Sequence, residues 1–260
     1  MSLPTILQKI LVTADERALE ANERIDVLFE LSESQPPARS LVEALTGDGL
    51  AVIAEIKRRS PSAGAIDTKV DPVKQAVAYV EGGAAAISVL TEPHYFGGSL
   101  GDLRAVRDAV EVPILRKDFT RNAAQIWEAR AAGADAVLLI VAALDHRTLA
   151  SLVDLAGDVG VEAIVEAHTS EEVGMAVDAG ATVVGVNNRD LNTFVTDLSV
   201  AEAASVHIPD GVVKIGESGV SDAAGARRMA QAGYDAILVG EALVRAQDPA
   251  ALVRTLRAVR

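Results

Sequence analysis

The chain has 260 residues with 24 basic and 37 acidic side chains, so its formal net charge at pH 7 is −13. Half of the residues are hydrophobic and 23% are charged, which is enough apolar material for a packed core and excludes a disordered chain. Cysteine is absent, which excludes disulfides, thiolate nucleophiles and zinc–thiolate sites. The longest apolar run, residues 136–144, is far shorter than the roughly 18 residues that a membrane span needs.

The N-terminal sequence and the net charge predict the cellular location of the protein and the kinds of partner it binds. The N-terminal sequence has no apolar signal core, so we expect a soluble cytoplasmic protein. The strongly acidic balance makes nucleic acid an unsuitable partner. An anionic ligand would have to be held by a local arrangement of lysines and backbone N–H groups.

The first 47 residues differ from the rest of the chain. Residues 6–30 predict a helix, the Pro36–Pro37 pair ends it, and residues 41–45 predict a second, short helix. We interpret residues 1–47 as an N-terminal helical extension packed on a second, larger domain formed by residues 48–260.

That second part of the chain repeats itself. Four glycines each end a helical stretch and are followed at once by a β-branched run: Gly83, Gly133, Gly180 and Gly233. Their intervals of 50, 47 and 53 residues are about twice the roughly 25 to 30 residues of one strand–helix unit. Adding the apolar runs between them gives eight predicted strands, numbered 1 to 8, at residues 52–56, 86–90, 114–116, 136–140, 163–165, 183–186, 212–215 and 237–239.

Helices are predicted between these strands. Asp71–Pro72 and Asp248–Pro249 each place a capping acid before a first-turn proline, Thr169 with Glu172 reads as a capping box, and Ser221–Asp222 opens another helix. Eight strands that alternate with helices predict the α/β class, as a closed (β/α)8 TIM barrel. Trp127, on the helix after strand 3, is expected to pack that helix against the barrel.

In such barrels the chemistry takes place at the C-terminal ends of the strands, which form the rim. Two lysines, three glutamates and an asparagine fall there, as an acid–base site requires: Glu55, Lys57, Lys117, Glu166, Asn187 and Glu217. His168, which follows the strand 5 glutamate, is interpreted as a loop or supporting residue and not as a base.

Lysine is scarce, which draws attention to the two on the rim. Only six of the 24 basic residues are lysines, and Lys57 and Lys117 both follow strands. Arginine serves for surface charge, whereas only lysine can lower its pKa enough to exchange a proton near neutrality. The alternative, that each lysine forms a rim ion pair with a neighbouring carboxylate, remains open on position alone.

Strands 7 and 8 are each followed by a glycine, Gly219 and Gly240. Gly219 precedes the capped start of a helix, where exposed N–H groups and the close approach that glycine allows make a phosphate cradle. Barrel enzymes often bind phosphate after these two strands. An ordinary turn is the alternative at each position, although two glycines in this pair of loops favour phosphate.

Six segments in chain order together resemble indole-3-glycerol phosphate synthase, a barrel enzyme of tryptophan biosynthesis. They are residues 54–64 (AEIKRRSPSAG), 88–99 (SVLTEPHYFGGS), 115–119 (LRKDF), 165–168 (VEAH), 185–191 (GVNNRDL) and 216–219 (GESG). The resemblance runs from about residue 50 to the C-terminus, and the helical extension also fits the family. Other phosphate-binding barrels share the glycines but not this set of lysines and glutamates.

The resemblance implies a reaction and a role for each rim residue. The substrate is 1-(2-carboxyphenylamino)-1-deoxyribulose 5-phosphate, which closes its ring with loss of carbon dioxide and water and without a cofactor. Lys117 is implied as the general acid on the ketone oxygen, Glu166 as the proton-transfer group in dehydration, and Lys57 as the partner of the substrate carboxylate. Glu55 and Glu217 position the lysines and substrate hydroxyls, and Asn187 and Arg189 orient polar groups near the ring-closing carbon. Phosphate would be bound by Ser60, Ser218, Gly219 and Gly240, and the aromatic ring by Leu90, Phe96, Phe119 and Leu191.

Three positions depart from the family pattern. Ala63 stands where many relatives have lysine, His94 where a basic residue is common, and Gly216 where alanine is expected. None belongs to the acid–base set, but the first two would weaken binding of an anionic substrate. No histidine–carboxylate cluster has the spacing of metal ligands, so we predict no metal. The resemblance implies that no cofactor is needed.

Two other functions remain as alternatives. One is a different phosphosugar barrel enzyme, such as an isomerase, which typically needs a carboxylate pair or a carboxylate with cysteine. The other is a non-catalytic phosphate-ligand binder on the same fold. We expect a monomer that acts on a small phosphorylated aryl-amino sugar, with no membrane or nucleic-acid partner. Since the sequence ends soon after the eighth helix, we also expect no fused isomerase domain.

Overall fold

The structure, a computed structural model, describes residues 5–191 and 193–259. Residues 1–4 of the predicted extension, and Asn192 and Arg260 of the predicted barrel domain, lie outside the described residues. Eight parallel strands close into a barrel in which each strand pairs with its neighbours in the chain and the last pairs with the first. They are β1 Ala51–Ile56, β2 Ala86–Leu90, β3 Ile114–Lys117, β4 Ala136–Ile140, β5 Glu162–Ala167, β6 Val183–Asn187, β7 Val213–Glu217 and β8 Ala236–Val239. The predicted TIM barrel is confirmed.

Helices cover the outside of this barrel, and a small hairpin of Arg59–Ser60 and Gly64–Ala65 follows β1. The helices are α1 Thr5–Asn22, α2 Ile25–Glu33, α3 Leu41–Leu45, α4 Pro72–Glu81, α5 Leu100–Ala109, α6 Ala123–Ala131, α7 His146–Val159, α8 Ser170–Asp178, α9 Ser199–Ala204, α10 Ala223–Gln231, α11 Glu241–Arg245 and α12 Pro249–Arg257. Short 3-10 turns lie at Val141–Ala143 and Ser205–His207.

The predicted helix starts are confirmed at the level of their hydrogen bonds. The side chains of Asp71, Thr169 and Asp248 each accept a backbone N–H of the first turn that follows. In the Ser221–Asp222 pair the capping residue is Asp222, which accepts the N–H of Gly225.

The single helix predicted over residues 6–30 is wrong, because the structure has two helices there. Arg24, between α1 and α2, has φ −113° and ψ 15° and leaves the helical region. Its N–H bonds to the carbonyl of Ala21 in a tighter turn, and α2 then continues to Glu33. No glycine or proline marks this break, so the sequence carried no signal for it.

The barrel interior changes character along the strand axis. Side chains two residues apart on a strand face the same way, so the inward positions of each strand form layers. The lower layers hold fully buried apolar side chains that include Ile53, Leu115, Ile164 and Ile215. Two residues further along the same strands come Glu55, Lys117, Glu166 and Glu217. The strand period therefore places the charged residues of the rim inside the barrel mouth.

The extension contacts both ends of the barrel. Leu41 and Leu45 of α3 are fully buried in the apolar cluster that fills the lower interior. At the opposite end, Arg17 of α1 donates two hydrogen bonds, of 2.8 and 2.9 Å, to Asp118, the residue after Lys117. The same helix is bound through the carbonyl of Ala18, which accepts from Asn122.

Trp127 packs on the extension and not against the barrel strands, which corrects the expectation from the sequence. Its ring contacts Phe29 of α2 edge-on, with 5.1 Å between ring centroids. It also packs on a small buried cluster between α1, α2 and α6 that includes Ala21 and Leu28. The helix after β3 is therefore a docking face for the extension.

Candidate active site

A cavity of about 440 Å³ opens at the C-terminal end of the barrel. Every catalytic and substrate-binding residue predicted from the sequence lines it: Glu55, Lys57, Ser60, Leu90, Phe96, Lys117, Phe119, Glu166, Asn187, Arg189, Leu191, Glu217, Ser218, Gly219 and Gly240. Ile6, Leu7 and Ile10 of α1 complete the wall. The sequence predicted a helix here that packs on the barrel, but it did not show that this helix covers the barrel mouth.

Lys117 is the centre of the charged residues in this cavity. Its Nζ lies 3.0 Å from Glu166 Oε2 and 2.5 Å from Glu217 Oε2. The side chains of the two glutamates are 5% and 2% exposed, and that of Lys117 is 13% exposed. The ammonium is thus held between two buried carboxylates at the end of β3, with its remaining face toward the cavity.

The carboxylates decide the charge of Lys117. Burial lowers the pKa of Lys117, but Glu166, Glu217 and Glu55 raise it well above the ordinary value. Burial also raises the pKa of Glu217; Lys117 partly offsets this, Glu166 adds to it, and the result is about 7. Near neutral pH Lys117 is therefore protonated and Glu166 is ionised. Glu217 lies close to the pH at which it gains or loses its proton.

A second lysine–glutamate pair stands at the end of β1. Lys57 Nζ lies 2.6 Å from Glu55 Oε1, and both side chains are largely buried. Gly240, after β8, makes room for this pair, because a Cβ on Gly240 would lie 2.3 Å from Glu55 Oε1 and 2.8 Å from Lys57 Nζ. The glycine predicted for phosphate binding thus also creates space for the two charged side chains.

Glu166 is fixed at its second carboxylate oxygen. Asn187 Nδ2 donates to Glu166 Oε1 at 3.2 Å, and His168 Nε2 lies 3.5 Å from the same oxygen. Asn187 in turn accepts the backbone N–H of Arg189 through its own Oδ1, at 3.1 Å. The ends of β5 and β6 are joined by these contacts, so Glu166 and Lys117 face each other in one arrangement.

The loops after β1, β7 and β8 form the other end of the cavity. Ser218 has φ 63° and Gly219 has φ 86°, so two consecutive residues take the left-handed conformation, which strains Ser218. Asn188 supports this loop, since its Nδ2 donates to the carbonyls of Glu217 and Ser218 at 3.0 and 3.2 Å. Sequence analysis missed the role of Asn188, which is buried behind the cavity wall.

The loop after β1 is tied to the loop after β6. Ser60 Oγ accepts the N–H of Ala63 at 3.1 Å, and Arg189 Nη1 forms a short hydrogen bond with Ser62 Oγ. At the first position that departs from the family pattern, Ala63 thus contributes a backbone donor to the turn. Arg245 and Glu241 of α11 also line the cavity as an ion pair of 3.0 Å, which sequence analysis did not single out.

Apolar side chains form the remaining wall. Phe96 and Phe119 lie with their ring centroids 6.1 Å apart and their planes tilted by 39°. Leu90 and Leu191 line the same cavity, together with Phe194, which the sequence analysis did not identify. These surfaces suit a flat aromatic group opposite the charged residues.

The other two departures from the family pattern also have a place in the structure. The backbone N–H of His94 donates to the buried carboxylate of Glu92 at 3.0 Å, so the loop there is organised by Glu92. Gly216 faces the helices, because a Cβ on it would lie 2.9 Å from Met229 Sδ.

Within the described residues, no group of three or more His, Cys, Asp or Glu is placed to hold a metal ion. No helix in that part of the chain is long and apolar enough to cross a membrane.

Comparison with known proteins agrees with this geometry. A sequence model of indole-3-glycerol phosphate synthase matches residues 7–256. The chain belongs to the indole-3-glycerol phosphate synthase family. It is 51% identical to the indole-3-glycerol phosphate synthase of Kineococcus radiotolerans and 49% identical to that of Streptomyces griseus, over 97% of this chain and 94% of each relative. With the synthase of Mycolicibacterium smegmatis the identity is 48%, over 98% and 95% of the two chains.

More distant solved structures share the fold. A thiamine phosphate pyrophosphorylase from Pyrococcus furiosus superposes with a TM-score of 0.61 at 17% identity, over 83% of this chain and 96% of that one. An N-acetylmannosamine-6-phosphate 2-epimerase from Clostridium perfringens superposes with a TM-score of 0.61 at 16% identity, over 80% of this chain and 93% of that one. At this identity the likeness concerns the barrel alone. Membership of the synthase family disfavours the alternatives of an isomerase and of a non-catalytic binder.

Proposed function

We propose that the chain converts 1-(2-carboxyphenylamino)-1-deoxyribulose 5-phosphate to indole-3-glycerol phosphate, with Lys117 as the general acid. The observation that carries this proposal is the position of Lys117 between Glu166 and Glu217, facing a cavity with an aromatic wall. The substrate has the three parts that such a cavity accommodates, which are an aryl carboxylate, a ketone and a phosphate.

Ring closure is the step assigned to Lys117. The aryl carbon that bears the carboxylate attacks the ketone carbon, and the carbonyl electron pair moves to oxygen, which takes a proton from the Lys117 ammonium. The raised pKa of Lys117 keeps the proton on nitrogen until the developing alkoxide, a much stronger base, accepts it. Loss of carbon dioxide returns an electron pair to the ring and restores its aromaticity.

Dehydration is the step assigned to Glu166. The neighbouring carbon gives its proton to the Glu166 carboxylate, and its C–H electron pair forms the new double bond. The hydroxyl formed from the ketone takes a proton from the Lys117–Glu217 pair and leaves as water. Glu166 is ionised, held by Asn187, and placed 3.0 Å from Lys117, so the two can exchange protons between the steps. Glu217, with its pKa raised to about 7, provides a further proton site on the same lysine.

The remaining residues bind the substrate in this proposal. Lys57, positioned by Glu55, holds the aryl carboxylate, and Arg189 with Asn187 orients polar groups near the ring-closing carbon. Ser60, Ser218, Gly219 and Gly240 hold the phosphate, and Leu90, Phe96, Phe119 and Leu191 contact the aromatic ring. No cofactor takes part. A cytoplasmic monomer that binds no nucleic acid is part of this proposal. The net charge of −13 disfavours a polyanionic partner, and the cavity wall needs no second chain.

The division into an extension of residues 1–47 and a barrel of residues 48–260 is part of the same proposal. It is supported by the gap between α3, which ends at Leu45, and β1, which begins at Ala51.

The test is fluorescence of the indole product in the native protein and in Lys117→Ala. We expect kcat to fall about 10²- to 10⁴-fold, the usual loss on removal of a general acid. Lys214→Ala is the matched control, since Lys214 also lies on a barrel strand but donates to the Ser205 carbonyl in the helix layer. Turnover that survives in Lys117→Ala would move the acid elsewhere, with Lys57 next. No turnover by the native protein would reject the proposed function.

A further inference from the structure

His168 lies next to Glu166 and between two carboxylates. Its Nε2 is 3.5 Å from Glu166 Oε1 and its Nδ1 is 3.4 Å from Glu172 Oε2. The side chain is 12% exposed, and among the described residues neither ring nitrogen has a hydrogen bond of regular geometry. The imidazole thus has one carboxylate beside each nitrogen, at ion-pair distance, and both nitrogens are buried.

Glu172 is held in place by the start of α8. Its N–H donates to the Thr169 side chain at 3.1 Å, and its Oε2 accepts the backbone N–H of His168 at 2.6 Å. The carboxylate that contacts the imidazole therefore also fixes the backbone of the same histidine. Glu172, His168 and Glu166 form a continuous line from the first turn of α8 to the carboxylate that faces Lys117.

The charges along this line favour a protonated histidine. Burial lowers the pKa of His168, but Glu172, Glu166 and Glu217 raise it above the ordinary value. These three carboxylates, with Lys117 beyond Glu166, are the charged groups that act on the imidazole. In return, burial raises the pKa of Glu166, while Lys117 and then His168 lower it to about 2.

We propose that His168, held by Glu172, is a positioning residue that keeps Glu166 ionised and oriented when Lys117 gives up its proton. The inference rests on the proposed roles of Lys117 and Glu166. Once Lys117 is neutral, Glu166 loses its nearest cation, and the imidazolium 3.5 Å from its other oxygen still provides a positive charge. His168 is not among the described residues that line the cavity, so it acts on the substrate only through Glu166.

The experiment compares three variants over a range of pH. His168→Gln keeps a polar planar group but removes the charge, and we expect kcat to fall about tenfold, which is part of the 10²- to 10⁴-fold that a general base contributes. KM should stay unchanged, because His168 does not line the cavity. In the native protein kcat should decline as pH rises through the ionisation of His168. In His168→Gln this contribution should be absent, so that the pH profile differs from the native one and keeps only the contribution of Glu217.

Glu172→Gln and Glu171→Gln form a matched pair. Glu172→Gln keeps an oxygen for the His168 N–H but removes the charge, so the decline in kcat should move to lower pH. Glu171 lies in the same turn of α8 and is exposed, so Glu171→Gln should keep the native kcat and the native pH profile. An unchanged kcat in His168→Gln, or a lower kcat with the native pH profile, would overturn the inference.

Imidazole NMR titration separates this inference from the proposed function. His168 should titrate above about 6.5 in the native protein and at a lower pH in Glu172→Gln. This measurement needs no turnover, so an inactive native protein would reject the reaction without moving the titration. A titration of His168 at or below 6.5 in an active native protein would reject the role proposed for His168 alone.

Discussion

Two layers of the barrel interior differ sharply, although the same strands build them. In the lower layer Leu115 and Ile164 are fully buried among apolar neighbours. Two residues further along, Lys117 and Glu166 are nearly as buried but charged. Both layers face inward because of the strand period, so the difference is one of side-chain chemistry and not of backbone geometry. The strand ends can therefore carry chemistry while the same strands hold the barrel together below.

The two layers contribute to stability in opposite ways. Complete burial of an aliphatic side chain contributes about 1.5 to 3 kcal/mol, so the lower layer stabilises the barrel. Charges removed from water cost free energy that their mutual attraction repays only in good geometry. In the upper layer the positive charge of Lys117 compensates the negative charge of two carboxylates, and these residues serve the reaction and not the stability of the barrel. Substitutions in the lower layer should therefore reduce the free energy of unfolding, and substitutions in the upper layer should reduce kcat.

The largest expected effect on stability comes from Ile164→Ala in the lower layer. Truncation leaves a cavity in a fully buried cluster, so the free energy of unfolding should fall by about 2 to 5 kcal/mol. Chemical denaturation measures this, and kcat of the remaining folded protein should be close to native. A fall in kcat as large as that of Lys117→Ala would contradict the separation of the layers.

Gly185→Ala should produce the largest indirect effect on the upper layer. A Cβ at this position would lie 2.3 Å from Glu217 Oε1, so the carboxylate beside Lys117 must move. A displacement of about 1 Å at such a site can cost about 10²-fold in kcat, and steady-state kinetics would measure it.

The matched control for this substitution is Gly174→Ala in α8. A Cβ on Gly174 would meet nothing within 4 Å, so kcat should not change, and stability should rise by roughly 0.5 to 1 kcal/mol as a helical glycine is replaced. Native kcat in Gly185→Ala would show that the position of Glu217 is unimportant.

Glu217→Gln should change the pH dependence of stability. The folded-state pKa of Glu217 is about 7, above its ordinary value of 4.5, so the folded protein holds a proton that the unfolded chain releases. This contribution to stability is complete below about pH 4.5 and is lost as pH rises toward 7. Thermal or denaturant unfolding should show that Glu217→Gln does not undergo this loss of stability as pH rises. A native protein whose stability slope between these pH values equals that of the variant would argue against a protonated Glu217.

Gly216→Ala should have the smallest effect, because the position faces the helices. The new Cβ would lie 2.9 Å from Met229 Sδ, and the flexible methionine can move at a cost of about 1 kcal/mol. A double-mutant cycle with Met229→Ala should recover part of that cost, and kcat should not change in any of the variants. A change in kcat would show that packing between β7 and the surrounding helices affects catalysis.

Much of the site was predictable because its signals are local. Short apolar runs with glycine at their helix junctions predicted the strands, and residues at strand ends such as Lys117 and Glu166 then fell on the rim. The strand period explains why they face inward. What the sequence could not give is a contact between distant segments. The role of Ile10 in the cavity wall and the Arg17–Asp118 contact depend on where α1 docks, which no local pattern records.

The charge states of the site were also beyond sequence analysis. The pKa of Lys117 depends on whether burial or the neighbouring carboxylates dominate. Those carboxylates are Glu166, 3.0 Å away and 49 residues along the chain, and Glu217, 2.5 Å away and 100 residues along the chain. The break between α1 and α2 was missed for a related reason. Residues 23 and 24 are ordinary in a helix, and the second helix is the one that places Leu28 and Phe29 in contact with the cluster around Trp127.

Gly240 has a consequence for how this site can evolve. Because a Cβ there would occupy the space of Glu55 and Lys57, any missense change in its codon acts on a pair at the end of the neighbouring strand β1. A side chain at position 240 therefore requires Glu55 and Lys57 to move, or one of them to be replaced. Across related genes the three positions should change together, even though nearly 200 residues of sequence separate them.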